Sequence, residues 1–373
     1  MTDFLGLTWD HPRGRNALAA AAPRLGGGDR LHWHVQPLEG FESAPIDELA
    51  RSYDLLVLDH PHLGDALATA SLRPLDELVD AEQIRAWEQA AIGPTLASYR
   101  MAGQLWALPL DAATQVSARR RDLVPDAPTT WGEAEQLAER GLLALSLAGP
   151  HAFLSLCSVA VSFGDNPGST PGGLFHRPTA QRALALLTHL AARAPEGTEL
   201  LNPIGLLGRM RDHGDIGYLP LVYGYVTYSA PELAFGTVPT ENGRIGSTLG
   251  GTGIAVTRRS EPSPALLDHL RWLLREQTQR TFIPAHDGQP GIRAAWTDLD
   301  VDTAAHGFYS GTRAVLEAAW VRPRLPGYIP FQSAASAIVR AAISGGRSGA
   351  SALDELEERF AQLGTHPSRE DLP

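Results

Sequence analysis

The side chains equipped for chemistry fall at the ends of short apolar runs. Phe4–Thr8 is followed by Trp9, Asp10, His11, Pro12 and Arg13, and Leu55–Leu58 by Asp59, His60, Pro61 and His62. The run Gln104–Leu110 ends at Asp111. Three carboxylates so placed suit glycoside hydrolysis if Asp10, Asp59 and Asp111 converge, because that reaction needs an acid and a second carboxylate flanking one bond. Five of the 13 histidines (His11, His32, His34, His60 and His62) lie in the first 62 residues, and with Asp59 they admit a metal-dependent hydrolase. The same carboxylates and imidazoles beside aromatic rings also suit capture of a polar ligand, whose hydroxyls must be hydrogen-bonded once desolvated.

Composition removes other chemistries. Of 373 residues, 31 are basic and 42 acidic, for a net charge of −11; every basic residue is Arg. Without Lys there is neither a Schiff-base enzyme nor a P-loop. A lone Cys, Cys157, excludes an intrachain disulfide, a CxxC redox pair and a thiolate zinc site. The acidic balance is unsuited to non-specific nucleic-acid binding, which needs a cationic face. No G-x-S-x-G is present, and Gly250–Gly253 precedes an apolar run instead of following one, unlike a dinucleotide fingerprint.

The elements that must position these groups alternate between strand and helix. Phe4–Thr8 reads as a strand, residues 17–25 as a helix closed by Gly26–Gly28, and Leu31–Leu38 as a strand with Leu31, Trp33 and Val35 on one face. Ile46–Ser52 is helical, and Leu55–Leu58 has the unbroken apolar character of a parallel strand buried on both faces. This is the α/β pattern, in which ligands sit beyond the carboxyl ends of the strands. Further on, Gln104–Leu110, Ile216–Val222 and Ile254–Val256 read as strands, and Thr130 with Glu133 forms a capping box. Leu266, Leu270 and Leu273 mark an amphipathic helix, and Ser333–Ile343 and Leu353–Leu363 two tail helices. Arg119–Arg121 reads as a solvated run.

The order of these features resembles the bacterial extracellular solute-binding proteins of ABC importers, carbohydrate-type. The resemblance rests on Tyr53–Leu78, on Met101–Trp131 with its W-A-L-P strand and late T-T-W, on Ser247–Val256 (STLGGTGIAV), and on Arg322–Tyr328 (RPRLPGY). It implies an α/β, two-lobe, type II periplasmic-binding-protein fold, each lobe a mixed, mostly parallel sheet flanked by helices. The first lobe would take 1–110 plus 250–297, and the second 111–249 plus 298–373. Hinge crossings would lie near Leu110–Asp111, Ser247–Gly250 and Thr297–His306, with closure of the cleft on the ligand.

The resemblance implies a non-catalytic protein without cofactor that captures a sugar or related carbohydrate for import. The candidate ligand-binding residues are Trp9, Asp10, His11, Arg13, Asp59, His60, Asp111, His151, Tyr223, Tyr225, Gly250 and Gly251. Arg13 beside His11 leaves a second ligand class open, a carboxylated small molecule, which a guanidinium grips as a bidentate fork. A cytoplasmic ligand sensor of the same fold is the corresponding alternative. The N-terminus, with Asp3 as its first charge and Gly6 and Thr8 interrupting the apolar run, lacks the pattern of an export leader. A cytoplasmic location is therefore expected as the sequence stands, and an extracytoplasmic one with ABC permease partners if a leader lies upstream. The protein is expected to be a monomer without membrane insertion.

Overall fold

A computed structural model describes residues 1–169 and 173–363; the end of the expected second lobe, 364–373, lies outside them. The chain opens with strand β1 (Asp3–Trp9), helix α1 (Pro12–Ala21), strand β2 (Arg30–Gln36), helices α2 (Leu38–Ser43) and α3 (Ile46–Ser52), and strand β3 (Leu55–Leu58). Helix α1 starts earlier than its apolar periodicity suggests. His11 caps it, its Nδ1 accepting from the Arg13 amide at 3.2 Å, and Pro12 sits in the first turn, where its missing N–H removes nothing.

Strand β1 pairs in parallel with both β2 and β3. All four residues of β3 are buried, as a strand between two neighbours requires. β2 is the sheet edge, and there the expected facing fails: Leu31 is buried but Val35 is 45% exposed. The strand's end runs beyond what the core can cover. The expected strand at Gln104–Leu110 is instead divided. β4 (Arg100–Met101) and β5 (Gln104–Leu105) form a hairpin turning at Ala102 and Gly103, both with positive φ. A new strand, β6 (Leu108–Arg120), then begins.

β6 binds the two halves of the molecule. Its first half pairs antiparallel with β9 (Leu249–Val256), and its second half with β7 (Tyr218–Tyr223) and β8 (Leu233–Gly236). Thirteen residues of strand, buried from Leu108 to Ala118, thus run from one core into the other. Asp111 does not follow the strand; it lies within it, where the pairing with β9 shifts register between Pro109 and Asp111. At the end of β6, Arg120 pairs with Asp122 at the surface.

Two separate apolar cores result. One gathers residues between Phe4 and Leu110 with those between Ile254 and Ile283. The other holds residues from Ala112 to Leu249, from Trp296 to Leu356, and Ile92. Chain passes between them along β6, along β9, and between Ile283 and Trp296, where Gln289–Gly291 runs beside β6. Gln289 fixes this third passage: its carbonyl accepts from the Ala112 amide (3.1 Å), and its Nε2 donates to the Ala112 carbonyl (2.6 Å). The capping box at Thr130 forms as its sequence spacing requires, opening a helix at Trp131–Glu139. The tail helices are Tyr328–Ile343 and Gly349–Leu363.

Candidate functional site

The carboxyl ends of β1 and β3 meet β9 and the end of β7 around a cavity of about 50 Å³ between the two cores. Trp9 and Arg13 come to it from β1 and α1, and Asp59 from the end of β3. Tyr223 and Tyr225 come from the other core, and Gly250 and Gly251 from β9. A larger hollow, an apolar groove of about 530 Å³ bordered by Leu147, Leu200 and Ile343, gathers none of the strand-end residues.

Two of the three charged lining residues, Arg13 and Asp59, are already matched; Glu42 has only the His151 ring near it. Arg13, with 4% of its side chain exposed, grips Asp111 through both carboxylate oxygens, its Nε donating at 2.8 Å. Its Nη1 donates to the Gly224 carbonyl at 3.0 Å, and its guanidinium lies 4.7 Å from the centre of the Tyr225 ring. Burial pulls the Arg13 guanidinium down, and Asp111 outweighs it, holding it above its usual range. The fork that could have held an anionic ligand is thus engaged within the protein.

A second buried pair repeats the arrangement. Arg322 bonds Asp59 through Nη2, which also donates to the Leu249 carbonyl (3.2 Å), while Nη1 donates to Gln332 (3.1 Å). Burial pushes the Asp59 carboxyl up, and Arg322 outweighs it, holding Asp59 below the usual carboxylate range. His60 is fully buried behind this pair, its Nε2 accepting from the Arg322 amide at 3.2 Å. Desolvation, with Arg322 adding to it, brings His60 down to about 4, so it is neutral at pH 7.

Five candidates stand outside the cavity wall. Asp10 faces solvent and pairs with Arg15. His11 is the α1 cap, packed 4.8 Å from Tyr225, and burial takes it down to about 4. His60 and Asp111 support Asp59 and Arg13 from behind. His151, at the start of helix α7 (His151–Ser162; helix Trp131–Glu139 is α6, Leu63–Ala68 is α4 and Ala81–Ala90 is α5), is 2% exposed. It lies edge-on to Tyr223 at 5.7 Å, with Nε2 3.4 Å from Glu42 Oε1. The convergence of Asp10, Asp59 and Asp111 needed for glycoside hydrolysis does not form, since each carboxylate is taken by a different Arg. Among the described residues, no group of three or more His, Cys, Asp or Glu is placed to hold a metal ion. His32 and His34 point outward from the edge strand.

Sequence reasoning missed the wall supplied by α2: Leu38, Phe41 and Glu42, together with Ala113 and Thr252. It also missed Arg322, although its motif was in view. A buried Asp with no local cation implied a distant Arg, which is the signal that would have found it.

Two lining residues carry buried polar atoms with no hydrogen-bond partner among the described residues, Trp9 Nε1 and Thr252 Oγ1. Both ring nitrogens of His151, next to the cavity, are likewise unbonded. Such atoms are rare in native cores and mark places where a ligand or water completes the structure. Gly251 keeps the β9 wall close: its φ is +87°, and a Cβ there would stand 2.5 Å from the Asp111 carbonyl oxygen.

No protein-family model matches this sequence, and a comparison with curated proteins finds no match. Solved structures give a different result. An ABC transporter solute-binding protein from Agrobacterium radiobacter K84, in complex with ribitol, superposes with a TM-score of 0.82 at 20% identity, over 97% of this chain and 98% of that one. Maltose-bound MalE3 of T. maritima gives 0.80 at 18% identity, over 98% and 99%. A solute-binding protein from Agrobacterium vitis S4 with bound D-mannitol gives 0.76 at 16%, over 99% and 100%. The fold is that of ABC-transporter solute-binding proteins. At these identities the likeness establishes the two-lobe architecture, and in that architecture the cavity just described is the interlobe cleft. No helix among the described residues is long and apolar enough to cross a membrane.

Proposed function

We propose that this protein captures a small, uncharged, hydroxyl-rich ligand (a sugar or polyol) in the interlobe cleft and presents it to an ABC importer. One observation carries the reading. Arg13 and Asp59 have their charges paired within the protein, yet the lining residues Trp9 and Thr252 keep buried polar atoms unsatisfied. A neutral polyol supplies both hydrogen-bond donors and acceptors without adding charge to a desolvated site. The ribitol, maltose and mannitol in the structural neighbours support the same class. A carboxylated ligand has less support, because it would have to compete with Asp111 for Arg13 and with Asp59 for Arg322.

In this reading Trp9, Arg13, Asp59, Tyr223, Tyr225, Gly250, Gly251 and Thr252 form the binding surface. The lobes close by bending at β6, β9 and Gln289–Gly291. Import requires an extracytoplasmic location and permease subunits as partners, and both belong to the proposal.

The test is isothermal titration of the purified chain against polyols, monosaccharides, maltose and small organic acids. Saturable binding of a neutral compound, weakened about tenfold in Trp9→Phe without loss of folding stability, is the expected result, since one hydrogen bond is worth roughly 0.5–1.5 kcal/mol. Exclusive binding of organic acids would overturn it.

A further inference from the structure

The cleft walls carry the reading further, to the size of the ligand. An oligosaccharide site needs a row of open aromatic faces, because each successive sugar ring presents an apolar face that must be covered. Here the lining rings are already covered by protein. The α1 backbone crosses the Trp9 ring so closely that a Cβ on Gly14 would stand 2.3 Å from it, and Phe41 tilts against the same indole at 5.1 Å. Tyr223 has the Gly250 backbone against its ring, where a Cβ would fall at 2.5 Å. Tyr225 carries the Arg13 guanidinium over its face. Of the lining rings, Trp9 and Tyr225 are buried, and only Phe41 and Tyr223, both half-buried, keep a partly open side.

The opening beside these rings is also narrowed, by an approach without a hydrogen bond. Glu42, on α2 of the first core's side, reaches within 3.4 Å of His151 at the start of α7 in the second. A chain of sugars continuing past this point would have to separate the pair. The remaining space, about 50 Å³, has room for a few waters, so even a single unit requires partial opening.

We infer that the site takes a single monosaccharide or linear polyol and excludes oligosaccharides. The inference rests on the carbohydrate reading above. Titration of the full chain with ribitol, mannitol, glucose, maltose and maltotriose separates the two. One of the first three should bind, with maltotriose at least about 100-fold weaker. Maltose or maltotriose binding as tightly as the best single unit would overturn the size limit and leave the carbohydrate reading standing. No binding by any of the five would overturn both. Glu42→Ala, which removes this approach, should narrow the ratio between single units and maltose. An unchanged ratio would exclude the Glu42–His151 pair as part of the limit.

Discussion

Replacing Arg13 by Met tests whether the buried charges are organised as described. The substitution leaves the Asp111 carboxylate, itself 5% exposed, without its cation, and removes the bond to the Gly224 carbonyl. Breaking a buried pair from one side costs about 3–5 kcal/mol. Asp111 has one escape, to bind a proton. From an unperturbed value near 3.9, neutralisation at pH 7 costs about 1.4 kcal/mol per pH unit over roughly three units, or about 4 kcal/mol. The loss in Arg13→Met is therefore bounded near 4 kcal/mol at pH 7, and near 1.5 kcal/mol at about pH 5, where the proton is cheap to bind. With an unfolding entropy of about 2.1 cal/mol/K per residue, the whole chain loses roughly 5 °C of Tm at pH 7.

Urea denaturation followed by circular dichroism, at both pH values, measures the difference directly. The double variant Arg13→Met with Asp111→Leu should recover most of the loss, because two apolar groups replace two charges of similar bulk. A loss below about 1 kcal/mol at pH 7, or one that does not shrink at about pH 5, refutes the argument. So does a double variant no more stable than Arg13→Met.

Three further outcomes follow from the same contacts. His11, His60 and His269 are each taken down to about 4 by burial, so between about pH 6.5 and 4 the unfolded chain holds protons that the folded chain lacks. Stability should then fall as pH drops through that window, by up to about 1.4 kcal/mol per pH unit per histidine, and His269→Gln should flatten the slope in a Tm-versus-pH series. Gly251→Ala places a Cβ against the Asp111 carbonyl at a positive φ, and should cost about 1–3 kcal/mol by urea denaturation together with ligand affinity. Gly14→Val pushes the Trp9 indole off its seat, and should red-shift the intrinsic fluorescence and abolish binding while circular dichroism stays native-like.

Much of this architecture was legible because the cores are patterned simply. Leu55–Leu58 announces a strand buried on both faces, and Asp59 and His60 then fall at its carboxyl end by position alone. Thr130 and Glu133 announce a helix start for an equally local reason. What stayed hidden is what depends on distant chain. β6 continues through Asp111 because small residues, Ala112, Ala113 and Ala118, let it pass between two cores, and no local signal distinguishes that from a strand end. Asp111 and Asp59 looked like groups awaiting a ligand until Arg13 and Arg322 arrived from 98 and 263 residues away. Helix α2, which supplies Phe41 and Glu42, is only six residues long and too short for a periodicity to show.

The two ion pairs and the Glu42–His151 contact all join the two sides, but their positions give them opposite duties. Arg13 bonds Asp111 on the crossing strand β6, and Arg322 bonds the Leu249 carbonyl at the start of the crossing strand β9. Groups fastened to the crossing strands sit beside the axis about which the lobes turn, where relative displacement is smallest, so these pairs can persist while the cleft opens. Neither Glu42 nor His151 is on a crossing strand. Their contact lies away from the crossing strands, so in the proposed closure it is the one that separates as the cleft opens. Charge at the axis therefore contributes to the stability of every state. A contact away from it is lost as the lobes part, so in the proposed function it bears on which ligands enter. This is why Arg13→Met should register in denaturation curves and Glu42→Ala in the relative affinities for ligands of different length.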